Sequence, residues 1–524
     1  MRVLFVYPSI DSPLGFNHGL AAMSGILKAQ GHDTRLIHVC EELEPIPTPD
    51  EMVARVREID PGVIGFSCMS QQYPWARDIT RHLKENGIDV PIVVGGVHCT
   101  MVPDEVVMHP EWDGVFVGEC DAAFPEYVRR LEAGEDVSDC PNLRFLRDGK
   151  PVNNAVGPFP DIASFPPKDY DLFDVEGILD AKNGWVSILT SRGCPYQCTY
   201  CFNREIVDLY KADQAVTTTR EYLRHYSPDR IIDEIADLDR RFPGKLKTII
   251  FDDDLFTLKR DYVQEFCSKY AEADLSIPFV VNAHPQVFDD TTATALAHAG
   301  CMIVKYGLES GSHRVRKEVL RRPMSNDKIA KAFAAAHRQD LHTSAFIMAG
   351  LPTETREEIE ETLQLCADVE MGRFRWAIFF PFPGTAAHAL SEELDLIDEE
   401  KAKGMGNYFD GSCLKLGDAM DLYVDKLTWF AHWYVNARTT WPSREIFEPL
   451  VAEIDAMELE EWRERREELK AFDKEHSEKL LAEDVLHYMR QYYPVMGVRS
   501  DFVKRDRERL AAGKQERLTD YSLD

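Results

Sequence analysis

Short apolar runs alternating with longer amphipathic stretches dominate the first 150 residues, and this alternation leaves few architectures open. Apolar runs at 2–7, 34–39, 63–66, 91–94 and 114–117 are spaced by helix-length segments, the pattern of parallel strands joined by crossover helices. Four of the five runs end in small or turn-forming residues, at 8–15, 67–70, Gly95–Gly96 and Gly118–Glu119. In an open α/β sheet, ligands bind outside the carboxyl ends of the strands, so these loops are the predicted ligand edge.

A stretch from 151 to 167 contains Gly157, Pro158, Pro160, Pro166 and Pro167, residues that interrupt regular elements. Residues 151–184 are therefore expected to link a first domain at 1–150 to a second at 185–390. The second region repeats the alternation, with strands predicted at 185–190, 246–251, 278–282, 302–307, 343–348 and 375–380. Six strands with intervening helices imply a partial (β/α)6 barrel of the TIM type. From 391 to 524 the pattern becomes charged and helical, and a helical C-terminal domain is expected. A length of 524 residues agrees with about three domains.

The formal charge of −30 repels a phosphate backbone, which argues against nucleic acid as a partner. No run of about 18 apolar residues offers a transmembrane segment. The N-terminal residues lack a secretory pattern, and twelve cysteines in a chain this long are too dilute for a disulfide scaffold. A cytoplasmic, reducing location is expected.

Three of those cysteines form a group in Ser191-Arg192-Gly193-Cys194-Pro195-Tyr196-Gln197-Cys198-Thr199-Tyr200-Cys201, just past a predicted strand. Three thiolates suit an iron–sulfur cluster and leave the fourth iron of a 4Fe-4S cluster open to an outside ligand. A zinc knuckle would need a fourth Cys or His close by, and none is present. Cys194, Cys198 and Cys201 are thus the expected metal ligands and catalytic core.

Cys194-x-x-x-Cys198-x-Tyr200-Cys201 resembles the signature of the radical S-adenosylmethionine (SAM) enzymes, including the aromatic residue before the last cysteine. The resemblance implies that SAM binds the open iron and is cleaved reductively to methionine and a 5′-deoxyadenosyl radical. It places Tyr200 and Phe202 beside the cofactors. Asp252, Asp253 and Asp254 stand after the second barrel strand, where the family contacts the SAM amino group, although acidic residues replace its usual Gly-Gly-Glu. Glu309 and Ser310 match the fourth-strand motif near the ribose or carboxylate, and Gly350 matches the segment after the fifth strand. Pro381-Phe382-Pro383-Gly384-Thr385 matches the close of the sixth.

The first domain is similar to the Rossmann-like (flavodoxin-like) cobalamin-binding domain that precedes the barrel in cobalamin-dependent radical SAM enzymes. The cofactors implied are a 4Fe-4S cluster, S-adenosylmethionine and cobalamin. Ser67, Gln71, Gly95, Gly96, His98, Gly118 and Glu119 are the implied cobalamin contacts, with the 67–73 loop facing the lower side of cobalt; His18 is a further polar contact. No Asp-x-His-x-x-Gly motif occurs in the chain, so cobalamin without a protein histidine on cobalt is implied. Among the remaining features, Ser227-Pro228 reads as a helix N-cap. Trp429, Phe430, Trp433, Tyr434 and Trp441 read as core at helical spacing, and Cys413 as inert.

The resemblance implies methyl transfer through methylcobalamin to an unactivated carbon of a small-molecule or peptide substrate. Its electron donor would be a protein such as flavodoxin or ferredoxin. Alternatives are a radical cyclase or oxidase of the same architecture, akin to the anaerobic magnesium-protoporphyrin monomethyl ester cyclase, and a cobalamin- or redox-sensing protein without turnover.

Overall fold

A computed structural model of the chain describes residues 1–273, 275–404, 411–491 and 496–511. The chain divides into two compact units, residues 1–245 with 382–388, and residues 246–381 with 389–524.

The first unit begins with β1 (Arg2–Pro8), β2 (Asp33–Val39), β3 (Val63–Ser67), β4 (Ile92–Gly95) and β5 (Gly114–Phe116), followed by β6 (Leu143–Arg147) and β7 (Lys150–Asn153). They form one sheet in the order β2-β1-β3-β4-β5-β6-β7. The first five strands are parallel, and β6 and β7 join antiparallel. The five parallel strands coincide with the apolar runs of the sequence. The β6–β7 hairpin has no comparable signal, because its residues are mostly half-exposed and charged. The chain order reverses beside β1, where β2 and β3 flank it, and such a switch point opens a crevice for a ligand.

Local chemistry sets the helix ends. Asn17 accepts from the Leu20 backbone N–H at the start of the helix His18–Ala29, and Thr48 and Glu51 form a reciprocal capping box before Pro49–Ile59. Ser227 accepts from the Arg230 N–H at the start of Pro228–Arg241, as the Ser-Pro pair predicts.

The same unit continues through β8 (Trp185–Ile188), the short pair β9 (Ser191–Arg192) and β10 (Arg224–His225), and the helix Phe202–Ala212. That helix buries Ile206, Val207 and Tyr210 in one core with Val94, Cys99, Val115 and Val117 of the first sheet. The compact unit thus extends past the 151–184 stretch and takes in the cysteine segment. Residues 382–388 join it as well. The Ala387 N–H donates to the Thr199 carbonyl at 2.9 Å, and a Cβ on Gly384 would collide with the Met101 backbone.

The second unit holds β11 (Thr248–Phe251), β12 (Phe279–Ala283), β13 (Cys301–Glu309), β14 (His342–Ala349) and β15 (Arg373–Ile378), all parallel. These are the second to sixth strands expected of the barrel, and the first is β8. Two further strands, β16 (Tyr488–Arg490) and β17 (Met496–Arg499), extend the sheet antiparallel beyond β15. They correct the purely helical reading of the C-terminal region. At three and four residues they are too short for the period-2 pattern to register. The remainder of that region is helical, at Asp418–Asn436, Arg444–Ala456, Leu459–Ala482 and Ser500–Ala511. Most of its aromatic stripe is core: Phe430, Trp433, Tyr434 and Trp441 are buried, whereas Trp429 is half-buried, with Lys470 Nζ 3.9 Å from its ring centroid. Cys413 is buried too, and burial pushes its thiol up to about 11, which keeps it protonated and inert.

Candidate functional site: a cavity and a cysteine loop in one unit

At the carboxyl ends of β1, β3, β4 and β5 lies a cavity of about 380 Å³. Phe5, Phe66, Val94, Phe116 and Phe124 give it an apolar interior, while Asn17, Ser67, Glu119, Asp121 and Arg192 supply polar atoms at its walls. Five of the seven expected cobalamin contacts, Ser67, Gly95, Gly96, Gly118 and Glu119, line this one space. Gln71 and His98 do not.

Two glycines are required by close approach to protein rather than to a ligand. Gly96 has φ +98°, and a Cβ there would sit 2.6 Å from the Cys68 carbonyl oxygen. Gly118 has φ +78°, and its Cβ would meet the Tyr210 hydroxyl at 2.6 Å. A side chain at either position would be strained and would force the cavity wall apart.

His98 is turned into the protein. Its ring packs on Tyr73 with centroids 4.3 Å apart, and its Nδ1 lies 3.1 Å from Ser70 Oγ. Burial pushes its pKa down to about 4, so it is neutral at pH 7. His18 is likewise buried, against Ser187 and Tyr170, and burial and Lys168 drive its pKa well down. No histidine lines the cavity among the described residues. An apolar chamber with glycine-bounded edges and a few polar wall atoms suits a large cofactor body, and nothing in its donor set would place imidazole on cobalt.

The cysteine loop lies between β9 and the helix Phe202–Ala212. Cys194 and Cys201 are half-buried and Cys198 is buried. Cys201 is the N-cap of the helix, where the positive end of the helix dipole favours a thiolate. Asn203 Nδ2 lies 3.5 Å from Cys201 Sγ, and Tyr222 donates to Asn203 Oδ1. Among the described residues no three Cys, His, Asp or Glu side chains converge as a single-ion site does. A multi-iron cluster, ligated by thiolates on different irons, does not need that convergence. Three thiols on one loop, one at a helix N-terminus, fit such a cluster.

Cavity and cysteine loop are joined by a charge network that sequence reasoning missed. Arg192, two residues before Cys194, makes a two-pronged pair with Asp121 at 2.7 and 2.9 Å, and its Nη1 also donates to Glu119 Oε2 at 2.9 Å. Arg224, paired with Arg192 across β9 and β10, holds both oxygens of the Glu119 carboxylate. Its guanidinium also packs over the Phe159 ring. All four side chains are at most 16% exposed. Although burial opposes the charge on Arg192, the Asp121 and Glu119 carboxylates hold its pKa above the usual guanidinium value. Glu119 was expected to touch cobalamin; its carboxylate is instead spoken for by two arginines while its chain lines the cavity. A linkage between residues this far apart in sequence leaves no local spacing to detect.

In the second unit, the SAM-contact positions expected from the resemblance follow the parallel strands at one edge of the sheet. Asp252 and Asp254 are exposed and Asp253 is buried, with its carbonyl accepting from Asn282 Nδ2 at 2.9 Å. Glu309 closes β13 in a left-handed conformation, φ +67°. Ser310 Oγ and the Gly311 N–H both approach Thr362 Oγ1, and the fully buried Arg316 donates to the Ser310 carbonyl. Gly350 follows β14, and its N–H and that of Leu351 donate to Glu354 Oε2 at 2.9 and 3.1 Å.

Glu354 Oε1 is buried with no hydrogen-bond partner. Burial pushes this carboxyl up to about 8 from an ordinary 4.5. The folded protein therefore keeps a proton that the unfolded chain has lost between those pH values. Its stability contribution is complete below about 4.5 and is lost as pH rises toward 8, by about 1.4 kcal/mol per pH unit. The expected result is that denaturation midpoints of the wild type fall from pH 5 to pH 8 more steeply than those of Glu354→Gln. Parallel curves would remove the buried proton from the account.

Comparison with known proteins finds both domains. The Radical SAM superfamily profile matches residues 188–366, and that of the B12 binding domain matches residues 13–128. An uncharacterized methyltransferase of Pyrococcus horikoshii is 26% identical over 399 residues, covering 74% of this chain and 82% of its own length. The anaerobic magnesium-protoporphyrin IX monomethyl ester cyclase of Rubrivivax gelatinosus is 24% identical over 438 residues, 80% of this chain and 76% of its own. Among solved structures, the radical S-adenosylmethionine methyltransferase TsrM from Kitasatospora setae superposes with a TM-score of 0.59. It is 18% identical, and the match covers 75% of this chain and 76% of that one, so the likeness is one of fold. With a B12-binding domain ahead of a radical SAM domain, and with a 4Fe-4S cluster, SAM and cobalamin as its cofactors, the chain belongs to the cobalamin-dependent radical SAM enzymes.

Proposed function

We propose that this enzyme is a methyltransferase that places a methyl group on an unactivated carbon of a small-molecule or peptide substrate. The observation that carries the reading is the joining of cavity and cysteine loop in one compact unit through Arg192, Asp121 and Glu119. Methyl transfer to carbon needs a radical generator and a methyl carrier serving the same substrate atom, and holding both in one compact unit limits their misalignment. When bound, the cofactors supply the radical and the methyl group. The chain's part is to ligate through Cys194, Cys198 and Cys201, to seat the corrin against Ser67, Gly95, Gly96 and Gly118, and to keep water from the reacting face. Tyr200, Phe202, Asp252, Asp253, Asp254, Glu309, Ser310 and Gly350 are assigned to SAM in the same reading. The methyltransferase of Pyrococcus horikoshii supports it.

The second reading, ring formation or oxidation without methyl transfer, is favoured by the similarity to the Rubrivivax cyclase over 80% of this chain. Product analysis separates the two. A methyltransferase yields S-adenosylhomocysteine together with 5′-deoxyadenosine, whereas 5′-deoxyadenosine alone would replace it with the cyclase or oxidase reading. No helix among the described residues is long and apolar enough to cross a membrane. We place the enzyme in the cytoplasm, with flavodoxin or ferredoxin as electron donor and with no nucleic-acid partner, the last on the charge of −30.

A further inference from the structure

The loop after β5, residues 118–121, is gripped from both flanks of the cysteine loop. On the upstream side, Arg192 holds Asp121 and Glu119. On the downstream side, the helix that begins after Cys201 carries Tyr210. Its hydroxyl accepts from the Glu119 N–H at 2.8 Å and packs where a Cβ on Gly118 would stand. Arg224 closes the clamp on the remaining Glu119 oxygen. All four residues of the gripped loop line the cavity. One short segment is therefore both a wall of the cobalamin chamber and the seat of the hairpin and helix that present the cluster ligands.

We propose that Glu119, through Arg192, Arg224 and Tyr210, is a positioning residue that couples the two cofactor sites, so that a bound cluster tightens cobalamin binding and cobalamin in turn tightens cluster binding. The inference rests on the cofactor assignment above and goes beyond it by naming the residues through which the sites communicate. Ligation at Cys194 and Cys201 pins the two ends of the loop whose flanks hold residues 118–121. A wall already ordered loses less entropy when the corrin is seated against it, and linkage makes the effect reciprocal. The carboxylate matters because only a charged acceptor satisfies two guanidinium groups at once; an amide of the same shape cannot.

The test is a binding cycle on the full chain, with hydroxocobalamin as the probe and its absorption spectrum as the readout. Cobalamin Kd is measured for the wild type before and after anaerobic cluster reconstitution. The expected result is binding about five- to twentyfold tighter with the cluster in place. In Glu119→Gln and in Tyr210→Phe the same ratio is expected to fall below about two, and in Tyr210→Phe, which lies outside the cavity lining, the Kd of the cluster-free form stays near the wild-type value. A change in folding alone would shift both Kd values together and leave the ratio intact. Tyr210→Phe, which removes a single hydroxyl, tests the clamp without disturbing buried charge. A wild-type ratio of one, or ratios in both variants equal to that of the wild type, would overturn the coupling while leaving the cofactor assignment standing. Failure of either form to bind cobalamin would overturn the assignment and the coupling together.

Discussion

Replacing Cys194, Cys198 and Cys201 together with alanine is expected to give a folded protein that binds cobalamin but holds no cluster iron and does not cleave SAM. The three thiolates are the soft ligands that an iron–sulfur cluster requires, and alanine offers no lone pair in their place. The cavity, by contrast, is walled by Phe5, Ser67, Gly95, Gly118 and their neighbours on the sheet edge, and Cys194, Cys198 and Cys201 are not among its lining residues. Iron and sulfide analysis after reconstitution should fall from about four irons per chain to background. 5′-Deoxyadenosine formation under strong reductant should fall to the level seen without protein. Cobalt should remain, bound with the weaker affinity of the cluster-free enzyme. Iron retained at wild-type stoichiometry would remove these cysteines from the site, and loss of cobalt together with iron would mean that the chamber depends on the thiols themselves.

The second large effect is expected at Asp121. Its carboxylate is 5% exposed and pairs with both Nη1 and Nη2 of Arg192, itself 16% exposed. Removing one partner of a buried pair leaves the other charge out of water and uncompensated, which costs about 3–5 kcal/mol. Asp121→Ala should sit near the lower end of that range, because Glu119 still accepts from Arg192. At roughly 2–4 °C per kcal/mol for a unit of this size, thermal unfolding should begin about 6–12 °C earlier. The charge-neutral pair Asp121→Asn with Arg192→Met should recover much of the loss, since the penalty arises from the orphaned charge rather than from the missing attraction. An unchanged melting temperature for Asp121→Ala would show that water reaches Arg192 and screens it. The same substitution should also impair reconstitution, because Arg192 stands two residues before Cys194.

Much of the architecture was legible in advance for one physical reason. Parallel strands buried on both faces must be continuous apolar runs, and the five runs in the first 120 residues and the six from residue 185 onward stand where β1–β5, β8 and β11–β15 were found. Segments without that obligation escaped notice. The β6–β7 hairpin and the strands β16 and β17 are short or half-exposed, so no periodicity marks them.

At the candidate site, the sequence by itself determined which donors the cysteine loop offers. Three cysteines at fixed spacing after a strand suffice, because ligation depends on donor type and loop length, both local quantities. Turn-forming residues at the ends of strands likewise marked the ligand edge, and Ser67, Gly95, Gly96, Gly118 and Glu119 meet there. Which of these atoms face the cavity was decided only by tertiary structure. His98 turns away onto Tyr73, and Gly96 and Gly118 make room for Cys68 and Tyr210. The carboxylate of Glu119 is claimed by Arg192 and Arg224, 73 and 105 residues later. Contacts across such separations are set by how elements pack, and a charge that folding buries takes the partner that packing brings to it.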